Sequence, residues 1–378
     1  MAGSPGILII GGGVVGLGIA WRLSQRGATV TVIDRGPMAA EASSHAAGML
    51  VPLAEVEGPG PFLDLCLASR RLYPAFATEL LERTGLDIEH LEHGLLEVAI
   101  DEAEAGSITK RVSWLRTLRS DVEGLDARAV RAREPGISPK SVAGFFVPGE
   151  GCVTTPKLAQ ALEKAAAGAG VRLLPEHPLV DVEWQGNRVT AVRAGAERIT
   201  ADRFLIAAGP WSAEVGAQFG VSIPVFPVRG QLLALDGDPP PIRHVIYGHG
   251  IYLVRWLSGE VIVGSTMESA GFVKEVTADG IGGLLRAAIE LVPGLAARSI
   301  RRIWACLRPG TPDNYPILGP APSLENVFIA TGHFRNGILL TPITAEVMAD
   351  AIQEKPPAIP LHPFRLDRPS LTRSHPTG

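Results

Sequence analysis

The stretch Ile7-Leu8-Ile9-Ile10-Gly11-Gly12-Gly13-Val14-Val15-Gly16-Leu17-Gly18-Ile19-Ala20 decides the fold. Ile7 to Ile10 is a short apolar run that three glycines stop. Val14 to Gln25 then carries apolar residues at helical spacing until Gly27. Thr29 to Ile33 is a second, β-branched run. Strand, glycine turn, helix and strand make a βαβ unit, which implies a parallel sheet with covered faces and a right-handed crossover. Gly11-x-Gly13-x-x-Gly16 falls where the strand turns into the helix, the setting that gives this common motif its meaning. Gly11 permits the turn, Gly13 omits the Cβ that would hold a pyrophosphate off the backbone, and Gly16 lets helix and strand close up. The helix N-terminus adds free N–H groups and a positive dipole end for phosphate. Asp34 ends the second strand, where its carboxylate can accept hydrogen bonds from ribose hydroxyls. Nicotinamide and flavin dinucleotides share this half-site, so other segments must choose between them.

Ser43-Ser44-His45-Ala46-Ala47-Gly48-Met49-Leu50 follows the second strand and consists mostly of small residues, a loop whose amides could lie against a flat ring system. Phe62, Leu65, Leu72, Phe76 and Leu80 predict an amphipathic helix over 62–81, and mixed, charged sequence with no readable period runs on to Pro139. Lys157 to Ala169 reads as helix and Val171 to Leu174 as strand. Leu179 to Trp184 and Val189 to Arg193 read as a hairpin about Gly186-Asn187, and Phe204 to Ala207 as a buried strand. Gln231 to Leu235, Ile251 to Val254 and Glu260 to Val263 predict an antiparallel sheet in a separate layer. Val327 to Ala330 reads as strand, Thr331 to Asn336 as a polar loop, and Gly337 to Ile352 as helix. Lys355 to Pro363 and Leu371 to Gly378 read as surface tail.

A chain of 378 residues, 46% hydrophobic and 20% charged, supports a large core and two or three domains. A net charge of -4 with scattered basic residues argues against nucleic acid or an anionic membrane surface as partner. Cys66, Cys152 and Cys306 show no C-x-x-C spacing, so neither a disulfide framework nor a metal site is expected, and the cytoplasm fits best. Ile7 to Ile10 lacks a preceding basic residue and is not read as a secretory signal. No apolar run approaches the roughly 18 to 20 residues of a membrane span.

Five ordered blocks carry a family resemblance: Gly11 to Gly16 with Asp34, Ser43-Ser44 to Met49, Ala208-Gly209-Pro210-Trp211-Ser212, Leu307-Arg308-Pro309-Gly310-Thr311, and Gly332-His333-Phe334-Arg335-Asn336-Gly337-Ile338-Leu339. The chain resembles the D-amino-acid oxidase family of flavoenzymes, and within it the glycine oxidases of thiamine biosynthesis. The resemblance implies an α/β fold, α+β overall. A Rossmann-type FAD-binding domain would be made of discontinuous segments (1–86, 142–216 and 312–366), beside a smaller substrate domain on a mixed or antiparallel sheet (87–141 and 217–311), with 367–378 as tail. It implies non-covalent FAD held by Gly11, Gly13, Val14, Val15, Gly16, Asp34, Arg35, Ser43, Ser44, Ala46, Ala47, Gly48, Met49 and Gly209, with Leu179 offering backbone to the adenine side. Gly332, His333, Arg335, Asn336, Gly337, Ile338 and Leu339 would lie along the isoalloxazine. There the helix beginning near Gly337 would point its positive end at the charge that reduced flavin gathers.

The same resemblance makes Arg308 the anchor of the substrate carboxylate, Tyr252 and Met267 pocket residues, and Arg335 a further catalytic-site group. Tyr252 is placed by its spacing, 12 residues before Gly264 and 15 before Met267. The implied reaction moves hydride from the α-carbon of a small amino acid to flavin N5. Imine hydrolysis and reoxidation by O2 then give a 2-oxo acid (glyoxylate from glycine), ammonia and hydrogen peroxide, with no protein base required at Cα. Sarcosine or D-amino-acid oxidation, or electron transfer to an acceptor other than oxygen, are the alternatives, and a homo-oligomer is left open. His249 and His333 are assigned no chemical role of their own. The chain departs from the glycine oxidase pattern twice. Arg255-Trp256 stands where Pro-Arg is usual, and Cys306 stands where glycine is usual. Monomeric sarcosine oxidases carry their flavin-linking cysteine in a Cys-x-x-x-x-Thr-Pro-Asp context, which Cys306 to Asp313 matches locally, so a covalent link at Cys306 is the alternative to free FAD. A strand over Trp304 to Arg308 would put Cys306 and Arg308 on one face.

Overall fold

The computed structural model describes residues 6–56 and 58–372. The strand Gly6–Ile10 lies between Thr29–Ile33 and Arg203–Ile206, parallel to both. Val327–Thr331 and Arg172–Leu174 extend this parallel sheet on its two sides, and Ile317–Pro320 closes one edge antiparallel, making six strands. Alternation along the central strand sorts its side chains between two buried faces. Ile7 and Ile9 join the core that includes the helices Val14–Gln25, Thr155–Gly168 and Gly337–Ile352, whereas Leu8 and Ile10 pack toward the three-stranded sheet of Leu179–Gln185, Arg188–Ala194 and Glu197–Thr200.

The helix Gly337–Ile352 carries Pro342, which has no N–H to give the carbonyl four residues earlier. The neighbouring helix Pro61–Thr84 repairs the break. The Tyr73 hydroxyl donates to the Ile338 carbonyl at 2.5 Å, the Ser69 hydroxyl donates to Leu339 O at 2.6 Å, and Ser69 accepts from Ile343 N–H at 3.3 Å. Both side chains are fully buried. The sequence reading put the helix Pro61–Thr84 at 62–81, three residues short at its C-terminal end.

The second layer is an eight-stranded sheet in the order Ile300–Gly310, Phe226–Asp236, Glu260–Gly264, Ile251–Trp256, Val245–Gly248, Leu95–Ala99, Ala143–Val147 and Glu123–Asp126. It is antiparallel except where Val245–Gly248 runs parallel to Leu95–Ala99. Leu233, Leu235, Leu253 and Val263 face the helix Ala278–Leu291, while Leu232, Tyr252, Trp256 and Cys306 face the first layer.

Two regions depart from the sequence reading. The unparsed stretch before Pro139 holds the helices Glu102–Leu118 and Ala127–Arg133, each started by a capping aspartate. Asp101 accepts from Glu104 N–H and Asp126 from Ala129 N–H, both at 2.8 Å. The boundary expected at 141/142 would cut Ala143–Val147 away from the sheet in which it pairs. The tail expectation is corrected for 367–372. Arg368 is 6% exposed, reaches both Asp313 oxygens at 2.7 and 2.8 Å, and donates to the carbonyls of Tyr315 and Pro316, which docks this segment on the body. Residues 373–378 of that expected tail lie outside the described residues. Among the described residues no helix is long and apolar enough to cross a membrane.

Candidate active site

One cavity of about 380 Å³ runs from the glycine turn to the sheet of the second layer. At the end of the cavity beside the glycine turn, the three motif glycines do separate jobs. Gly11 has φ +114°, and a Cβ there would sit 2.3 Å from the Ala207 carbonyl of the adjacent strand; a Cβ on Gly16 would sit 2.0 Å from the Gly11 carbonyl. Gly13 faces the cavity, and only the Ser43 hydroxyl comes within 3.0 Å of its missing Cβ. The helix starts at Val14, whose N–H donates to Ser43 Oγ at 3.0 Å, and Leu17 N–H is the one that closes onto Gly13. Anion-seeking amides of the first turn therefore open on the cavity. Asp34 accepts from Gly12 N–H at 2.7 Å and from Gly36 N–H at 3.0 Å, which fixes its carboxylate at the cavity wall. Arg35 stacks 3.6 Å above the Trp211 ring beside it, and Leu179 and Gly209 line the same end.

The small-residue loop forms the next wall with Ser43, Ala46, Ala47, Gly48 and Met49. It is pinned from above by indole N–H groups of the second layer: Trp304 donates to His45 O at 2.9 Å and Trp256 to Ala47 O at 3.0 Å. The Thr155 hydroxyl holds Ala46 O from below at 2.7 Å. Trp256, part of the Arg255-Trp256 departure from the glycine oxidase pattern, is thus a buried clamp on this loop.

Strand register builds the far end. Tyr252 is paired with Tyr247 on one side and Gly264 on the other, and Gly264 is paired with Leu232, so these residues share the face toward the cavity. Gly230 lies opposite Cys306, and Arg308 lies two residues beyond it on the same face. Glycines make room for the Tyr252 and Arg308 side chains. A Cβ on Gly264 would come 2.5 Å from the Tyr252 ring, and one on Gly230 would come 2.2 Å from the Arg308 guanidinium. Arg308 is 8% exposed and donates to the Thr266 carbonyl at 3.1 Å and to Ser265 Oγ at 2.5 Å. Among the described residues no carboxylate lies within ion-pair distance of it. Burial pushes the Tyr252 phenol up, against the pull of Arg308, Ser265 and Arg335, so it stays protonated.

Arg335 presents the opposite case. It donates to Glu55 Oε1 at 2.9 Å and to the Tyr247 hydroxyl at 2.8 Å. Burial alone would lower its affinity for the proton, but Glu55 and Tyr247 outweigh this and hold it firmly charged. His333 lines the cavity and pairs with Thr344 at 3.1 Å; burial lowers its pKa to about 4, which leaves a neutral ring. Burial also raises the Cys306 thiol, opposed by Arg308, so it is no ready thiolate.

Val14, Val15, Asn336, Gly337 and Ile338 line the cavity with the residues above. Ser44 and Gly332 do not, and Leu339 points into the core at 1% exposure. Met267 is 60% exposed and outside the cavity, a correction with a plain cause. The chain re-pairs after Gly264 so that Thr266 accepts from Gln231 N–H and Glu268 meets Arg229 and Gln231, which turns the intervening Met267 outward. His249 stands apart, between Glu104 and Glu290. Glu55, Tyr247 and Ser265 were missed by the sequence reading. The one signal available for Glu55 was its charge inside the otherwise apolar run Val51 to Val56.

A family model described as DAO, FAD dependent oxidoreductase, matches residues 6–351. The chain belongs to the DAO family of FAD-dependent oxidoreductases. It is 35% identical to the glycine oxidase of Geobacillus kaustophilus, covering 96% of both chains, and superposes on a crystal structure of glycine oxidase from that organism with a TM-score of 0.93 at 34% identity, covering 97% of this chain and 99% of the other. It is also 38% identical to the bifunctional protein ThiO/ThiG of Synechocystis sp. over 98% of this chain, and spans 55% of that longer protein. The chain is therefore an enzyme that holds FAD and oxidises an amine or amino acid. The cavity fits that cofactor on its own evidence: a glycine without a Cβ at Gly13 facing the cavity, the amides of a helix start opening on it, and a long wall of small residues.

Proposed function

We propose that the enzyme oxidises glycine, or an amine of comparable size, to the 2-oxo acid with release of ammonia and reduction of O2 to hydrogen peroxide. The observation that carries this reading is Arg308, a buried guanidinium facing the cavity whose hydrogen-bond partners among the described residues are the neutral oxygens of Thr266 and Ser265. A cation in that setting favours an anion, and its planar fork matches a carboxylate. Bound FAD supplies the hydride acceptor. Arg308 holds the substrate carboxylate, Tyr252 closes the pocket above it with a protonated hydroxyl, and the Tyr252 and Leu232 side chains with Cys306 exclude water from the α-carbon. No side chain near Arg308 is set up as a base: Tyr252 keeps its proton and the Glu55 carboxylate is committed to Arg335. The start of the helix Gly337–Ile352 lends its positive end to the cavity wall.

In this reading the six-stranded sheet with its helices forms the FAD half, and the eight-stranded sheet roofs it as the substrate half. The likeness to ThiO/ThiG proteins supports a place in thiamine thiazole synthesis. The free thiols of Cys66, Cys152 and Cys306 suit the reducing cytoplasm. Anaerobic mixing of the yellow holoenzyme with glycine, sarcosine, D-alanine and D-proline tests the reading. Fastest bleaching by glycine, followed in air by equal yields of glyoxylate, ammonia and hydrogen peroxide, is expected. Bleaching by none of them rejects it, and bleaching without oxygen uptake in air moves the enzyme to the dehydrogenases.

A further inference from the structure

Two guanidinium groups, that of Arg308 buried and that of Arg335 on a side chain 23% exposed, line the same cavity and both act on the Tyr252 hydroxyl, yet their charges are met in opposite ways. Arg308 has only the Thr266 carbonyl and the Ser265 hydroxyl. Arg335 has the Glu55 carboxylate at 2.9 Å and the Tyr247 hydroxyl at 2.8 Å, with the Glu55 side chain 7% exposed. A buried guanidinium without a counterion is a carboxylate site, and one already matched is not. Building on the proposed carboxylate anchor at Arg308, we infer that Glu55 is a specificity-determining residue, which restricts the enzyme to amines bearing one carboxylate by occupying Arg335.

The cavity would otherwise offer two cations to one substrate, a pattern suited to a dicarboxylic amine of the iminodiacetate kind. With Glu55 in place, the second carboxylate of such a compound meets a guanidinium whose charge is spent and a buried like charge beside it. Rejection of a wrong ligand by a buried like charge is a general device of specificity. Glu55 reaches this position because its loop is clamped two residues earlier: Leu53 N–H donates to the buried Glu150 carboxylate at 3.2 Å and Leu53 O accepts from Arg111 at 2.6 Å.

The test titrates the FAD holoenzyme with acetate and with malonate, reading the flavin visible spectrum, beside turnover with glycine and with iminodiacetate. The wild type is expected to bind acetate more tightly than malonate. In Glu55→Gln the malonate-to-acetate affinity ratio should rise by about 10- to 100-fold, with the iminodiacetate-to-glycine kcat/KM ratio moving the same way. The double variant Glu55→Gln, Arg335→Gln should lose that gain, since it removes the freed cation. An unchanged ratio in Glu55→Gln overturns the inference. If that variant does not retain flavin, the wild type and Glu55→Asp decide: a wild type that binds malonate as tightly as acetate, or a Glu55→Asp variant that keeps its charge yet loses the discrimination, overturns it equally. Acetate binding that is indifferent to Arg308→Leu would instead strike at the proposed anchor, so the two failures are separable.

Discussion

Replacing Arg308 by leucine removes the one buried cation in the cavity that has no carboxylate partner among the described residues. The consequence follows from what is left. A glycine carboxylate entering the variant site would face the Thr266 carbonyl and the Ser265 hydroxyl, one of them an acceptor pointed at an anion. Leaving one member of a desolvated charged pair alone costs about 3 to 5 kcal/mol. At about 1.4 kcal/mol per decade this is a loss on the order of 10²- to 10³-fold in kcat/KM. Arg308→Lys keeps the charge without the planar fork and should recover only part of it. Gly230→Ala probes the same anchor without touching it, because the new Cβ would lie 2.2 to 2.4 Å from the guanidinium atoms and must push them aside. A misplacement of about 1 Å can cost on the order of 100-fold, so a loss between that of Lys and that of Leu is expected. Steady-state kinetics with glycine, beside the flavin spectrum as a control for cofactor loading, provides the assay. An Arg308→Leu enzyme that keeps its spectrum and oxidises glycine at nearly wild-type efficiency would refute the reasoning.

Gly13→Val should fold but purify without FAD, because its side chain meets only the Ser43 hydroxyl in the protein and projects into the cavity where the phosphate would lie, whereas Gly16→Ala should fail to fold for want of space against the Gly11 carbonyl; flavin content and circular dichroism read the difference. Cys306→Ala should keep its flavin, and acid precipitation of the wild type should leave a colourless pellet, since a buried, protonated thiol is not poised to form a link; yellow protein in the pellet, lost in the variant, would show the covalent alternative. Burial raises the Glu150 carboxyl from its ordinary 4.5 to about 8, so between those values the folded state holds a proton that the unfolded state releases, and stability falls as pH rises through this window. Glu150→Gln should therefore gain Tm over the wild type at pH 8.5 and little at pH 5; a difference independent of pH counts against the buried carboxyl. Tyr73→Phe leaves the Ile338 carbonyl, already orphaned by Pro342, without a donor, and should cost about 1 to 3 kcal/mol in chemical denaturation.

What could be read from the sequence divides along the range of the signal. The βαβ unit, the hairpin about Gly186-Asn187 and the final helix were legible because period, turn residues and caps all lie within a few positions of one another. The stretch before Pro139 failed on hydrophobic period alone, since the helix Glu102–Leu118 buries only Ile108, Val112 and Leu115, but Asp101 with Glu104 was a readable helix start. Met267 failed for a different reason. Spacing from Tyr252 fixes where Met267 lies along the chain but not which way it points: beyond Gly264 the chain re-pairs beside Gln231 through Thr266 and Glu268, and Met267 between them turns outward. Glu55 and Tyr247 belong to segments that local pattern leaves unrelated to Arg335, and only the packing of the second layer on the first brings the three together.

The proposed role of Arg308 as an anchor depends on more than its motif. Its strand pairs with Phe226–Asp236, and the fork can lie across that neighbour only because position 230 has no side chain. The Tyr252 ring has the same dependence on Gly264, one strand further along the sheet. Each functional side chain is therefore specified by a pair of residues, itself and the glycine beneath it, separated by 78 residues for Arg308 and by 12 for Tyr252. A glycine inside a strand weakens the strand, so its presence at a cavity-facing position is itself a sign that something must lie over it. Gly230 stands between Arg229 and Gln231 in the middle of its strand, where a β-branched residue would ordinarily suit the pleat. The cost of that glycine is local, and what it secures is the position of a charge.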